Sequence, residues 1–147
     1  MGKYVLAYFV AAAVFVGMDF AWLTVMGQRL YAAELPGLMT EKPALGAAIL
    51  FYVVYLMGVI YFCVAPALKA GDWRRATLNG VVLGLCAYAT YDLTNQATLR
   101  IWSIKVTVLD LVWGMVVTAV SATAGFLVTW RVIHARGGRA PENRSAT

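Results

Sequence analysis

The chain has 147 residues, of which 62% are hydrophobic and only 13% charged, with a formal net charge of +5. So apolar a composition excludes an ordinary soluble domain and predicts one small integral membrane domain. The positive charge does not predict nucleic-acid binding, because the basic residues are scattered at the ends of apolar runs and gathered in the C-terminal tail.

Four apolar stretches, at about 4–26, 44–68, 77–99 and 104–132, each reach the roughly 20 residues that a helix needs to cross a bilayer. The predicted fold is therefore all-α, an integral membrane four-helix bundle occupying residues 1–133. Lys3 precedes the first stretch as it would in a signal peptide. The apolar run nevertheless exceeds the usual ~7–15-residue signal core and contains Asp19 and Trp22, so it reads as a retained span. The connection Gly27–Pro43 carries Leu30, Tyr31, Leu35, Leu38 and Met39, too apolar for a free linker. It reads as a short amphipathic helix at the interface, broken at Pro36-Gly37, with a lid over an outward-facing pocket as the functional version. The turn from Ala70 to Arg75 is short, which makes the helices on either side antiparallel neighbours. Residues 134–147, rich in Arg, Gly and Ala, read as a disordered basic cytoplasmic tail.

Basic residues set the orientation. Lys3, Lys69, Arg74, Arg75, Arg131, Arg136, Arg139 and Arg144 fall on one side, and Arg29, Lys42, Arg100 and Lys105 on the other. Both termini are thus expected in the cytoplasm, and the expected location is a bacterial inner membrane. Cys63 and Cys86 lie in different apolar runs with no CxxC spacing, which suggests neither a disulfide nor a soft-metal site.

The informative residues are three aspartates within the apolar runs: Asp19, Asp92 and Asp110. A carboxylate near mid-bilayer costs several kcal/mol unless it is protonated, paired or hydrated. Two of them open the same phrase, Asp19-Phe-Ala-Trp22 and Asp110-Leu-Val-Trp113. At 1.5 Å per residue, Asp19 and Asp92 lie roughly 22 Å from the cytoplasmic edge, and Asp110 about 9 Å below the outer edge, of a ~30 Å core. All three therefore share one level in the outer third.

The third span carries Gly80, Gly84, Tyr88, Asp92 and Asn95 along one face, with Tyr91 beside them. This stripe turns from small packing residues to polar groups as it rises. The candidate ligand-binding residues are Asp19, Trp22, Tyr88, Tyr91, Asp92, Asn95, Asp110 and Trp113. Within each DxxW phrase the indole lies one turn from the carboxylate, where its N–H would reach the same aspartate or its ring would sit at the interface. Tyr52, Tyr55, Gly58 and Tyr61 mark the second span, which would close the bundle with phenol hydroxyls.

Oxygen donors of this kind suit a small ligand, a proton or a hard cation, and no metal is assigned. Arg29, Arg100 or Lys105 would neutralise the cluster by reaching down from the interface. Two other readings stay open: a structural or accessory subunit with a membrane-protein partner, in which the aspartates only lock the bundle, and a lipid-phase enzyme. No GxSxG, zinc or phosphate-loop phrase supports the last, and the sequence names no catalytic residue and no cofactor. Membrane lipids are the expected surroundings, without nucleic acid.

At Asp19-Phe-Ala-Trp22, Tyr91-Asp92-Leu93-Thr94-Asn95 and Asp110-Leu-Val-Trp113-Gly114 the chain resembles a family of bacterial predicted membrane proteins, domain-of-unknown-function family 2177. The resemblance covers nearly all but the tail. It implies four helices and no assigned activity, cofactor or catalytic residue. Neighbouring genes in such families, resembling cyclopropane-fatty-acid synthases and flavoproteins, tilt the expectation toward membrane-lipid modification or protection, by association alone.

Overall fold

The computed structural model describes residues 1–38, 40 and 42–137. Its elements are α1 (Gly2–Met26), a π-helical turn Gly27–Tyr31, α2 (Ala32–Glu34), α3 (Leu45–Gly58), a second π-helical turn Val59–Val64, α4 (Ala65–Ala70), α5 (Trp73–Thr98) and α6 (Ile104–Gly137). Among the described residues there is no strand. The π turns interrupt hydrogen-bond register but not helix continuity, so Gly2–Glu34 and Leu45–Ala70 each run as one helix. These two and Ile104–Ala135 are long and apolar enough to cross a membrane.

The fourth long helix, α5, is diluted by Asn79, Asp92, Asn95 and Gln96. Its polar groups are largely turned to protein. Asn79 Nδ2 donates to the Phe62 carbonyl at 2.8 Å, Thr77 shares a hydrogen bond with Thr123 at 2.7 Å, and Gln96 Oε1 accepts from Thr107 at 2.9 Å.

Antiparallel packing follows from the contacts. On α1 and α6, Ala7 meets Gly125 near one end, Asp19 meets Trp113 midway, and Glu34 meets Lys105 at the other end. On α5 and α6, Thr77 meets Thr123 and Gln96 meets Thr107. Helix α6 is therefore shared between α1 and α5. The face of α5 that meets it carries Ala76, Gly80, Gly84 and Asp92, all buried. A Cβ on Gly80 would fall 2.7 Å from the Ala119 Cα, and one on Gly84 would collide with the Gly114 carbonyl. This GxxxG step brings two backbones together. The turn between α4 and α5 closes on Gly71, left-handed at φ 69°, followed by Asp72, whose carboxylate caps α5 by accepting from the Arg74 N–H at 2.9 Å.

The second π turn and Pro66 account for the contact of Asn79. Phe62 lies in the π turn, where the hydrogen-bond register shifts by one residue, and Pro66, which has no N–H, offers no donor to the carbonyl four residues before it. In lipid that carbonyl must be satisfied by another group, and the Asn79 side chain supplies the donor.

Several boundaries differ from expectation. The first helix passes Met26 and continues to Glu34, so Gly27–Glu34 is a helical extension and not a separate interfacial helix; the break does fall at Leu35–Leu38, where Gly37 has φ 78°. The extension holds because Leu30 and Leu35 are buried against Val106, with Met26, Trp102 and Leu109 around them. At the other end, 134–137 continue α6, since His134 Nδ1 lies 2.8 Å from the Trp130 carbonyl and its ring stacks on Trp130. Residues 138–147, the rest of the expected tail, lie outside the described residues.

Asn79→Leu is expected to lower stability by about 1–3 kcal/mol through the stranded Phe62 carbonyl. Pro66→Ala, which restores an N–H, should recover part of that loss in the double variant. Thermal unfolding in detergent of both singles and the double measures the coupling; additive effects would contradict the assignment.

Candidate functional site

The DxxW phrases of α1 and α6 meet across the helix pair. Asp19, 9% exposed, accepts from the Tyr52 hydroxyl through Oδ2 at 2.5 Å and from the Trp113 Nε1 through Oδ1 at 3.2 Å. Asp110, 6% exposed, accepts from the Tyr31 hydroxyl through Oδ1 at 2.5 Å, and the Tyr31 oxygen in turn accepts from Trp22 Nε1 at 2.9 Å. The pairing is crossed: each indole serves the other phrase's aspartate, Trp113 directly and Trp22 through Tyr31. Between them the two indoles stack, with ring centroids 4.4 Å apart and planes 9° from parallel. Stacking of this kind contributes about 0.5–1.5 kcal/mol beyond area burial and fixes both N–H vectors.

Two of the donors stand outside the set picked from sequence. Tyr52 was legible as a phenol able to close the bundle. Tyr31 was not. A nine-residue step from Trp22 is about two and a half turns of an α-helix, which would put Tyr31 on the opposite face. The π turn Gly27–Tyr31 changes that phase, and Leu30 anchors it against Leu35 and Val106. A single π turn commonly re-aims a side chain at a functional position.

The third carboxylate has a different environment. Asp92 is 0% exposed, and neither of its oxygens accepts a hydrogen bond from the described residues. It lies within Coulombic range of Asp110, which lies within Coulombic range of Asp19, so the three form one electrostatic group. One turn below Asp92, Tyr88 packs its ring on Gly114, and its hydroxyl makes no hydrogen bond among the described residues. The phenol is within Coulombic range of Asp19, Asp110 and Tyr31.

The remaining sequence candidates stand further out. Asn95 is half-buried, and among the described residues its side chain makes no hydrogen bond. Tyr91 is 61% exposed and meets Trp102 edge-on at 5.7 Å, so it is no wall of the cluster: one residue before Asp92, it faces away from α6. Among the described residues, no His, Cys, Asp and Glu side chains gather in threes with metal-ligand geometry. The basic residues do not quench the cluster either. Lys105 pairs with Glu34 at 3.0 Å, where Ser103 also donates, and this is the one ion pair among the described residues. Arg29 and Arg100 are exposed.

Above the cluster, Glu34, Ser103 and Lys105 tie the extension of the first helix to the start of α6, and Trp102 Nε1 donates to Thr107 at 3.0 Å. Below it, Tyr55 and Thr118 share a hydrogen bond at 2.7 Å. The site is thus closed above and below by interhelical polar contacts.

A family model described as "Predicted membrane protein (DUF2177)" matches residues 4–127. The chain belongs to the DUF2177 family. The match spans the DxxW phrases of α1 and α6 and the Asp92 stripe of α5, and ends just after Phe126. No curated protein and no solved structure matches the chain. The chemistry of this DUF2177 member is therefore read from its own geometry: two carboxylates held by tyrosine and tryptophan donors, directly or through Tyr31, and a third held by neither.

Tyr31→Phe removes one donor from Asp110 and the acceptor for Trp22, and is expected to cost about 1–3 kcal/mol. In a double-mutant cycle with Asp110→Asn, followed by thermal unfolding, the two losses should be markedly less than additive. In far-ultraviolet circular dichroism, over the strong indole band, Trp22→Phe and Trp113→Phe should each remove the same contribution from the stacked indoles.

Proposed function

We propose that this protein is a four-span bundle of a bacterial cytoplasmic membrane, with both termini inside, that binds a proton or a small hydrogen-bonding ligand at Asp92. The observation that carries the reading is the burial of the Asp92 carboxyl without a partner on either oxygen. A carboxyl group in that condition is tolerated when it carries a proton or meets a donor brought by water or a ligand. Asp110 lies within Coulombic range of Asp92, and one turn along α5 the Tyr88 hydroxyl, also without a hydrogen bond among the described residues, lies within range of Asp19 and Asp110.

The topology rests on the charge bias. Lys3, Lys69, Arg74, Arg75 and Arg131 share one end, and Arg29, Lys42, Arg100 and Lys105 share the other. The bacterial assignment rests on the resemblance of the DxxW and Tyr-Asp-Leu-Thr-Asn phrases. Polar groups on α5 that bond across to α6 and to the second helix support it as a wall of the bundle, which offsets its lower hydropathy.

Asp19 and Asp110 have a different part. Both oxygens of Asp19 and one of Asp110 accept from Tyr52, Trp113 and Tyr31, which favours a structural role for these two: they hold the walls against which Asp92 stands. An accessory-subunit role for the protein is the second reading, and the same hydrogen bonds support it.

Dicyclohexylcarbodiimide, an apolar reagent that modifies protonated carboxyl groups, tests the proposal. Reaction of the membrane-embedded protein at neutral pH followed by peptide mass spectrometry is expected to place the adduct on Asp92, with little on Asp19 or Asp110, and none in Asp92→Asn. Labelling of all three alike, or of Asp19 first, would sink the reading.

A further inference from the structure

Away from the aspartates, an open groove of about 710 Å³ runs along the junction of α1 with the helix formed by α3 and α4. Tyr4, Val5, Val53, Met57 and Tyr61 line it, and Lys69 stands at one end. Val5, Val53, Met57 and Tyr61 are exposed, so the groove opens outward to the lipid side of the bundle. Beside the same end, the Lys3 ammonium lies 5.1 Å from the centre of the Tyr4 ring. No carboxylate pairs with either lysine, since the one ion pair among the described residues is that of Lys105 with Glu34.

We propose that this groove is a binding site for an anionic phospholipid, with the acyl chain along the apolar wall and the phosphate between Lys69 and Lys3. Charge complementarity selects the occupant: two ammonium groups with no carboxylate partner among the described residues, at the mouth of an otherwise apolar slot, favour a headgroup of net negative charge over a zwitterionic one. Length agrees. The sixteen-residue step from Val53 to Lys69 rises about 24 Å, against roughly 15 Å for the hydrocarbon of one leaflet, which leaves room for the headgroup at the lysine end. A second helix is a poorer occupant. Close helix approach in lipid needs small residues, and this wall presents Tyr4, Met57 and Tyr61.

The inference is independent of the Asp92 reading, because the groove and the carboxylate group share no lining residue. It is tested with the full chain in nanodiscs containing equal phosphatidylglycerol and phosphatidylcholine, followed by gentle extraction and native mass spectrometry. The wild type is expected to retain one phosphatidylglycerol in clear preference to phosphatidylcholine. Lys3→Gln with Lys69→Gln should reduce that preference about tenfold with helical content unchanged. Val53→Trp, at an exposed position, should fill the slot and reduce retention of either lipid. Equal retention of the two lipids by the wild type, or an unaltered preference in the double lysine variant, would overturn the proposal. So would a lipid-free dimer, which would assign the groove to a second copy of the chain.

Discussion

The structure depends on how Asp19 and Asp110 are satisfied. Each is a buried carboxylate inside an apolar helix, and each is held by donors from other elements: Tyr52 and Trp113 for Asp19, Tyr31 for Asp110. Because the donors cross between α1 and α6, the two helices cannot slide or rotate relative to one another without stranding a carboxylate. The π turn Gly27–Tyr31, the burial of Leu30 and Leu35, and the Glu34 contacts to Ser103 and Lys105 all serve to bring Tyr31 over Asp110. Hydrogen bonds between helices in lipid contribute only about 1 kcal/mol each, so their chief effect here is register and not bulk stability.

The packing below this layer is of another kind. Gly80 and Gly84 admit the α6 backbone, and Tyr88 lies flat on Gly114. Close approach at that level brings the upper part of α5 against α6 and leads Asp92 into the same layer as Asp110. The small-residue contact thus positions a carboxylate that nothing in the crossed network satisfies. Asp92 is the residue whose chemistry remains available after the bundle has formed.

Much of this arrangement was legible in the sequence. Apolar runs of spanning length predicted the long helices, and rise per residue put the three aspartates at one depth. The repeated DxxW phrase marked the faces that meet. The partners were less legible, for physical reasons. Each indole would have been paired with the aspartate of its own phrase, one helical turn away, whereas stacking of Trp22 on Trp113 turns both N–H groups outward to the opposite phrase. Tyr31 lay out of phase because helical periodicity assumes α geometry through Gly27–Tyr31. Tyr91, adjacent to Asp92 in sequence, stands about 100° away around the helix and faces outward. The role of Asn79 is not legible in the sequence either, because its partner is a carbonyl in a π turn of a different helix.

The central claim is a division of labour among three carboxylates, and isosteric amide substitution separates them most directly. Thermal unfolding of Asp19→Asn and Asp92→Asn in the same detergent is the decisive comparison. Asp19→Asn places an amide donor against a tyrosine or tryptophan donor and is predicted to lose about 1–3 kcal/mol. Asp92→Asn breaks no hydrogen bond within the protein and is predicted to stay within about 0.5 kcal/mol of the wild type. A loss on Asp92→Asn as large as that on Asp19→Asn would contradict the account, and would make all three aspartates part of one structural lock.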